Sequence, residues 1–177
     1  MLREARRHTR GRVRLVRGGF PDAPRGPFAA VLALRSTNFA PSFAPVAALG
    51  RRCLAPGGRL VFTAAMPGSW QAVAGGQLHF NLDQAFRRFP TGGVRLAFAG
   101  VPLTAWAVSI RSILPLFQSE FELERIEPLG LLLPDPSRWR PGWRRLAAIW
   151  RALDACESHL GPLARFADHA LVIVRKR

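Results

Sequence analysis

The sequence predicts a single α/β domain built on a doubly wound, parallel core. Residues 28–34 form a continuous apolar run, which is the pattern of a strand buried on both faces of a parallel sheet. A helix over residues 45–54 follows, and a second buried strand covers residues 59–65. A strand, a helix and a strand in so short a stretch make a βαβ unit, so the two strands should lie side by side and point the same way.

The turn between this helix and the second strand is marked by its residue types. Pro56 cannot continue a helix, and Gly57 and Gly58 supply the positive φ that a helix end often needs. Before the unit, residues 1–8 resemble the end of a helix, residues 12–17 alternate in the manner of a strand, and residues 21–27 form a turn-rich connector.

The middle of the chain departs from this rhythm. Residues 81–89 predict a helix, and residues 94–98 with 101–107 predict a hairpin around Ala99 and Gly100. We interpret residues 66–107 as a cap inserted after the carboxyl end of a strand, where it would overhang the ligand crevice of such a fold.

The last third of the chain completes the domain, which we take as residues 1–177. Residues 109–117 predict a helix despite Pro115, and residues 121–126 alternate as a strand. A helix over residues 141–158 belongs to a second insertion of about residues 131–167, and a terminal strand covers residues 170–175.

The net charge of the chain could indicate an anionic partner, but the distribution of the charged residues does not support one. Lysine and arginine number 26 against 11 acidic residues, a net charge of +15 that could attract nucleic acid or an anionic membrane. Almost all of it is arginine, with Lys176 the single lysine, and it is scattered along helices, strands and loops. This usage is typical of a GC-rich genome, so nucleic acid is not an expected partner.

Apolar content and cysteine usage set two further limits. Apolar residues make up 49% of the chain, which excludes wholesale disorder. No apolar run approaches the roughly 20 residues that cross a bilayer, so no membrane span is expected. Cys53 and Cys156 fit neither a zinc site nor a disulfide framework, which favours a reducing, cytoplasmic location.

Several segments resemble one known family. Residues 53–62, CLAPGGRLVF, are similar to the LKPGGRLVF signature before the fifth strand of class I S-adenosylmethionine-dependent methyltransferases. Residues 28–32 stand where that family has its fourth strand, residues 116–130 resemble its following helix and sixth strand, and residues 168–175 resemble its last strand. The resemblance covers nearly the whole chain. It implies a partial Rossmann-like sheet, strands three to seven of seven, with a helix-plus-hairpin cap after strand five.

The chain departs from the family pattern at its start. Residues 1–6 resemble the tail of the segment after the family's second strand. The sequence contains neither the G-x-G-x-G loop that holds the methionine moiety nor the acidic residue that holds the ribose. Gly19 or Phe20 stands where the family has an acidic residue after its third strand, and Ala29 replaces a frequent aspartate. We therefore expect an N-terminally truncated methyltransferase, from an internal start or a shortened gene.

The resemblance implies S-adenosylmethionine as the cofactor, lying across the carboxyl ends of the strands. No catalytic residue can be named, because methyl transfer from a sulfonium mainly needs alignment, and no metal is expected. A capped, aromatic-rich pocket suits a small-molecule methyl acceptor, and His79 is the plausible base in it. The candidate cofactor-binding residues are Gly19, Phe20, Leu34, Arg35 and Ser36, and the candidate acceptor-binding residues are Trp70, His79, Phe80 and Trp106.

The resemblance also implies a consequence for stability. The family's strand order is 3-2-1-4-5-7-6, so without strands one and two the strand at residues 28–34 becomes an apolar edge. We expect a chain that is marginal or aggregation-prone alone, that binds the cofactor weakly or not at all, and whose methyl transfer is impaired. A partner or a missing segment would complete the edge. The alternative is a non-catalytic relic or subunit of the same fold that binds an anionic partner through its charge.

Overall fold

The structure, a computed structural model, describes residues 18–70, 93–98, 100–132, 147–157 and 159–177, together with residues 13 and 16. Within these residues the strands are β1 (Phe28–Ala33), β2 (Leu54–Ala65), β3 (Val94–Phe98), β4 (Val101–Ala105), β5 (Phe121–Leu129) and β6 (His169–Lys176). The α-helices are α1 (Ala44–Cys53), α2 (Ile110–Ile113) and α3 (Ala147–Glu157), and 3-10 turns cover Phe20–Asp22, Thr37–Phe39, Leu114–Leu116 and Gly161–Phe166.

Four of these strands form one mixed sheet in the order β1-β2-β6-β5. β1 and β2 are parallel, with Ala33 paired to Phe62, and β6 runs antiparallel to both β2 and β5. The prediction that residues 28–34 and 59–65 lie side by side and point the same way is therefore confirmed. β3 and β4 form a separate antiparallel hairpin, as predicted.

Helix α1 joins β1 to β2 and packs closely on the sheet. Its buried residues lie on one face, and Gly50 among them packs against side chains of the sheet. A Cβ at Gly50 would lie 3.0 Å from side-chain atoms of both Leu60 and Phe121, so even alanine would crowd these two side chains. At the C-terminus of the helix, Lys176 Nζ donates to the carbonyl oxygens of Arg51 and Leu54, which satisfies carbonyl groups at the helix end.

The predicted turn at residues 55–58 lies inside β2. Phe28 pairs with Leu54 and Ala30 pairs with Arg59, so β2 carries extra residues between two close positions of β1. Gly57, with φ of +75°, makes the excursion possible, because left-handed backbone is costly for other residues.

The main core lies on one face of the sheet, beneath α1 and the segment around α2. Phe62 of β2 stacks on Phe117 and contacts Phe43, and Phe117 meets Phe121 edge to face. Side chains of this size contribute roughly 1.5–3 kcal/mol each when fully buried. The other face is less covered, and Leu32 of β1 is 68% exposed there.

Several element bounds differ from the predictions. The helix expected over residues 109–117 divides into α2 and the 3-10 turn Leu114–Leu116, because Pro115 lacks the N–H that a longer helix needs. β4 ends at Ala105, since the N–H of Trp106 donates to Asn38 instead. β5 extends to Leu129.

The predicted helices over residues 1–8 and 81–89 lie outside the described residues, as do most of the predicted strand 12–17 and the first part of the helix 141–158. The sheet that the structure describes thus comprises the four strands matched to the family's fourth to seventh. None of the described helices has the length and apolar character needed to cross a bilayer.

Candidate functional site

The carboxyl ends of β1 and β2 define one rim of the sheet. Because β6 is antiparallel to β2, its first residue lies at this same rim, and His169 pairs with Ala65. The chain segments that meet here are the one leaving β1, the one leaving β2 and the one entering β6. In open α/β sheets this rim is where ligands bind.

The segment leaving β1 makes a sharp bend that two threonines fix. Arg35 has φ of +52°, in the left-handed region that residues other than glycine seldom adopt. Its backbone N–H donates to Thr63 Oγ1 at 2.7 Å, and the hydroxyl of Thr37 donates to the carbonyl oxygen of Thr63. Thr37 and Thr63 are both buried, so the bend is held from beneath. Left-handed backbone at a residue other than glycine is costly, and such residues are often found at functional sites.

Asn38 connects this bend to the neighbouring segments. Its Oδ1 accepts from the N–H of Ala65 at 3.2 Å, and its Nδ2 lies 3.0 Å from His169 Nε2. Its carbonyl oxygen accepts from the N–H of Trp106 at 2.7 Å. One residue therefore contacts the end of β2, the start of β6 and the chain returning from the hairpin.

Asp168 extends these contacts across the rim. Its Oδ2 lies 2.9 Å from His169 Nδ1, and its Oδ1 accepts from the hydroxyl of Ser69 at 3.2 Å. Its carbonyl oxygen also accepts from the N–H of Met66. The side chains of His169 and Asp168 are only 14% and 27% exposed, so these polar groups are held in a partly dry setting.

The structure brings together part of the predicted site. Leu34, Arg35 and Ser36 are exposed at the rim, directly before the turn that contains Asn38. Trp106 is half-buried and lies beside that turn. Trp70 lies farther along the rim, where its indole N–H donates to the carbonyl oxygen of Leu131 after β5.

Gly19 and Phe20 are not beside these residues. The N–H of Gly19 donates to Asp22 Oδ2 at 2.8 Å, and the carbonyl oxygen of Phe20 accepts from Arg52 Nη2 at 2.7 Å. Arg52 is in the last turn of α1, next to the start of β2, so this turn lies at the amino end of the sheet while Leu34 follows its carboxyl end. His79 and Phe80 lie outside the described residues.

The sequence reasoning missed Thr63, Asn38, Ser69, Asp168 and His169. One signal was present, because the family order places its seventh strand antiparallel beside its fifth. The start of residues 170–175 then had to lie next to the end of residues 59–65, which puts Asp168 and His169 at the rim.

The side chains whose pKa is shifted lie at the opposite end of the sheet. A bidentate hydrogen bond from Arg59 lowers the pKa of Glu124, and the same contact raises the pKa of Arg59. Hydrogen bonding to Glu122 raises the pKa of Arg175. These exposed pairs bridge β2, β6 and β5 and have no contact with the rim. In the part of the chain that the structure describes, no cluster of three His, Cys, Asp or Glu could hold a metal ion.

The solved structures that this chain resembles include S-adenosylmethionine-dependent methyltransferases. A candidate S-adenosylmethionine-dependent methyltransferase from Listeria monocytogenes superposes with a TM-score of 0.60 at 17% identity, over 100% of this chain and 75% of its own. A protein from Pyrococcus horikoshii OT3 gives 0.52 at 15% identity, over 99% and 66%. An S-adenosylmethionine-dependent methyltransferase from Thermotoga maritima, a candidate histamine N-methyltransferase, gives 0.51 at 14% identity, over 98% and 70%.

No protein-family model and no curated protein matches the sequence. Identities this low carry the fold and nothing finer. The order β1-β2-β6-β5, with only β6 reversed, corresponds to strands four, five, seven and six of the family named by the sequence resemblance. Over its described residues, this chain has the fold of class I S-adenosylmethionine-dependent methyltransferases.

Proposed function

We propose that this chain carries out, or contributes a crevice to, S-adenosylmethionine-dependent methyl transfer to a small-molecule acceptor. The observation that carries the proposal is the parallel pair β1 and β2, whose carboxyl ends open on a rim with a fixed bend at Arg35. The methyltransferase fold of the neighbours supports it. No observation favours the alternative, a non-catalytic domain that binds an anionic partner.

The described rim fits one end of the cofactor better than the other. Leu34 is 52% exposed and offers an apolar surface for an adenine ring, and Ser36 adds an exposed hydroxyl beside it. Two carboxylates are described at the rim, and both are engaged: Asp168 by His169 and Ser69, and buried Glu157 by the backbone N–H groups of Leu131 and Leu132. Neither is presented to a ribose. Residues 34–36 would therefore hold the adenosine part, and we expect weak binding by this chain.

When bound, the cofactor supplies an electrophilic methyl group on a sulfonium sulfur. The chain's own contribution is alignment, because an acceptor must meet the methyl opposite the sulfur and needs a base only if it loses a proton. Trp106, next to the bend, is the described aromatic best placed to orient an acceptor, with Trp70 farther along the rim. His79 and Phe80 remain candidates on sequence grounds.

Titration of S-adenosylhomocysteine into ¹⁵N-labelled protein tests the proposal, because chemical shifts report even millimolar binding. We expect shifts centred on the amides of residues 34–36 and Trp106. Leu34→Glu should abolish them, whereas Leu123→Glu, at a leucine 43% exposed on β5 away from the rim, should not. Shifts centred elsewhere, or none at saturating ligand, would overturn the assignment of the crevice.

A further inference from the structure

The hydrogen bonds around Asn38 determine the protonation of His169. The backbone N–H of Ala65 can only donate, so the amide atom 3.2 Å from it is the oxygen Oδ1. The other amide atom, Nδ2, can only donate, and it lies 3.0 Å from His169 Nε2. His169 Nε2 must then accept, which means that it carries no proton.

The other ring nitrogen completes the assignment. His169 Nδ1 lies 2.9 Å from Asp168 Oδ2, an acceptor, so Nδ1 holds the proton and donates it. The second oxygen of Asp168 accepts from Ser69. Each of these contacts joins a donor to an acceptor only if the imidazole is neutral and in its Nδ1–H form. We call these four side chains the Asn38 latch: Asn38, His169, Asp168 and Ser69.

The latch joins parts of the chain that are distant in sequence. Asn38 and His169 are 131 residues apart, and Asn38 belongs to the turn that directly follows Leu34, Arg35 and Ser36. Its carbonyl oxygen also accepts from Trp106, so both the bend and the end of the hairpin depend on where Asn38 sits. A polar network whose members are hydrogen-bonded makes the segments that it joins more rigid, because leaving one of its partly buried groups without a partner is costly.

We propose that His169 is a positioning residue of the crevice. As a neutral Nδ1–H imidazole it holds Asn38 over the end of β2, and through Asn38 it sets the bend at residues 34–36 and the backbone of Trp106. It touches neither cofactor nor acceptor in this role. Only the ligand-binding consequence depends on the proposed function; the tautomer and the latch do not.

The tautomer is measured directly in the unmodified chain. Long-range ¹H–¹⁵N correlation of labelled histidines at neutral pH separates the two neutral tautomers and the imidazolium, with His169 assigned by its loss in His169→Gln. We expect the neutral Nδ1–H pattern for His169. An Nε2–H pattern or an imidazolium in the unmodified chain would overturn the latch.

Amide hydrogen exchange then tests what the latch holds. In His169→Leu, which cannot accept from Asn38, exchange of the Ala65 and Trp106 amides should quicken about three- to tenfold, the range expected for one lost hydrogen bond. In His169→Gln, whose Oε1 can replace Nε2 as acceptor, protection should be largely kept. His159→Gln, at an exposed histidine outside the latch, is the matched control and should change neither amide.

Unchanged exchange in a folded His169→Leu, or equal acceleration in the glutamine variant, would contradict the positioning role. Should His169→Leu fail to fold, the wild-type tautomer and His169→Gln decide the matter. Binding of S-adenosylhomocysteine should weaken in His169→Leu and persist in His169→Gln. If the wild type binds none, the methyltransferase proposal fails while the tautomer and exchange results still test the latch.

Discussion

Arg35 has an unusual backbone conformation and a fixed hydrogen bond at the rim. It directly follows Leu34 after β1, its backbone is left-handed with φ of +52°, and its N–H is fixed by Thr63. For L-residues such backbone costs roughly 1–2 kcal/mol, because Cβ approaches the carbonyl oxygen. The bend therefore stores strain at the place where an adenosine moiety would lie.

A pair of variants isolates this backbone cost. Arg35→Gly and Arg35→Ala both remove the side chain, but only alanine keeps the Cβ, so we expect the glycine variant to be more stable by about 1 kcal/mol. Chemical denaturation measures the difference. The same pair at Arg111, exposed in α2, is the control and should show the opposite order, because helix favours alanine. Equal stability of the Arg35 variants would mean that the bend carries no strain.

At this scale the sequence predicts residues that follow from strand ends and misses those that depend on folding. Leu34, Arg35 and Ser36 could be named because a buried run ends there. Asn38 and His169 are ordinary residues until the sheet brings them within 3.0 Å. The family resemblance predicts Gly19 and Phe20 at the rim, whereas Arg52 donates to the carbonyl oxygen of Phe20 and places their turn near the amino end of the sheet.

Among the elements, the C-terminus of α1 is held by a single side chain from β6. Lys176 near the end of β6 donates to the carbonyl oxygens of Arg51 and Leu54 at 2.7 and 2.9 Å. A compact ammonium can reach two carbonyl groups that converge on one point, whereas the planar guanidinium spreads its donors in a fork. This geometry explains why the single lysine of an arginine-rich chain stands at this position.

We expect Lys176→Met to lose about 1.5–3 kcal/mol of unfolding free energy, because hydrogen bonds from a charged donor are lost at a helix end. Lys176→Arg should recover only part of it. Arg177→Met, an exposed neighbour whose backbone bond to Glu120 is unaffected, should change stability by less than about 0.5 kcal/mol. Full recovery by arginine in urea denaturation would contradict the geometric argument.

The exposed charges on β2, β6 and β5 give the sheet a pH dependence. A hydrogen bond from Arg59 lowers the pKa of Glu124 below its unfolded value, so the folded state binds this proton less readily. Its stabilising contribution is complete above the unfolded pKa and is lost as the pH falls through the folded pKa. Unfolding free energy measured between about pH 3 and pH 7 should fall less steeply in Glu124→Gln than in wild type.

The contribution of Glu124 should also shrink in about 1 M salt, because the pair is exposed and screened. Glu120→Gln provides the control, since its contact with Arg51 is a looser 3.8 Å. Parallel pH curves for wild type and Glu124→Gln would show that the bidentate pair adds nothing to stability.

The elements themselves were largely predictable, for a physical reason. Buried strands and a glycine-rich stop are local patterns, so β1, α1, β2 and the β3–β4 hairpin could be read from residue order. The division of residues 109–117 at Pro115 follows from a local signal that the helix prediction did not weigh enough. The end of β4 depends on a hydrogen bond to Asn38, which a local pattern cannot reveal. The proposed cap and the second insertion remain predictions.

At the scale of the whole molecule, the two edges of the sheet differ in kind. β5 carries four charged residues, Glu122, Glu124, Arg125 and Glu127, and charge along an edge discourages further pairing. β1, with the sequence FAAVLA, carries none, and Leu32 is 68% exposed. Among the described residues β1 pairs only with β2. We propose that the β1 edge is completed by a further strand, supplied by a partner or by additional chain.

This difference predicts how the chain behaves alone. An uncharged edge strand with exposed apolar side chains should pair between molecules, so the wild type should associate as its concentration rises and should lack a sharp monomeric melt.

Leu32→Glu places a charge on that edge and should raise the fraction of monomer measured by sedimentation and light scattering. This is expected even though the substitution lowers the net charge from +15 and so weakens the overall repulsion between molecules. Leu123→Glu makes the same change on the already charged β5 and should leave association unchanged, which separates an effect of the edge from an effect of net charge. A wild type that stays monomeric and melts cooperatively would show that the β1 edge needs no further strand.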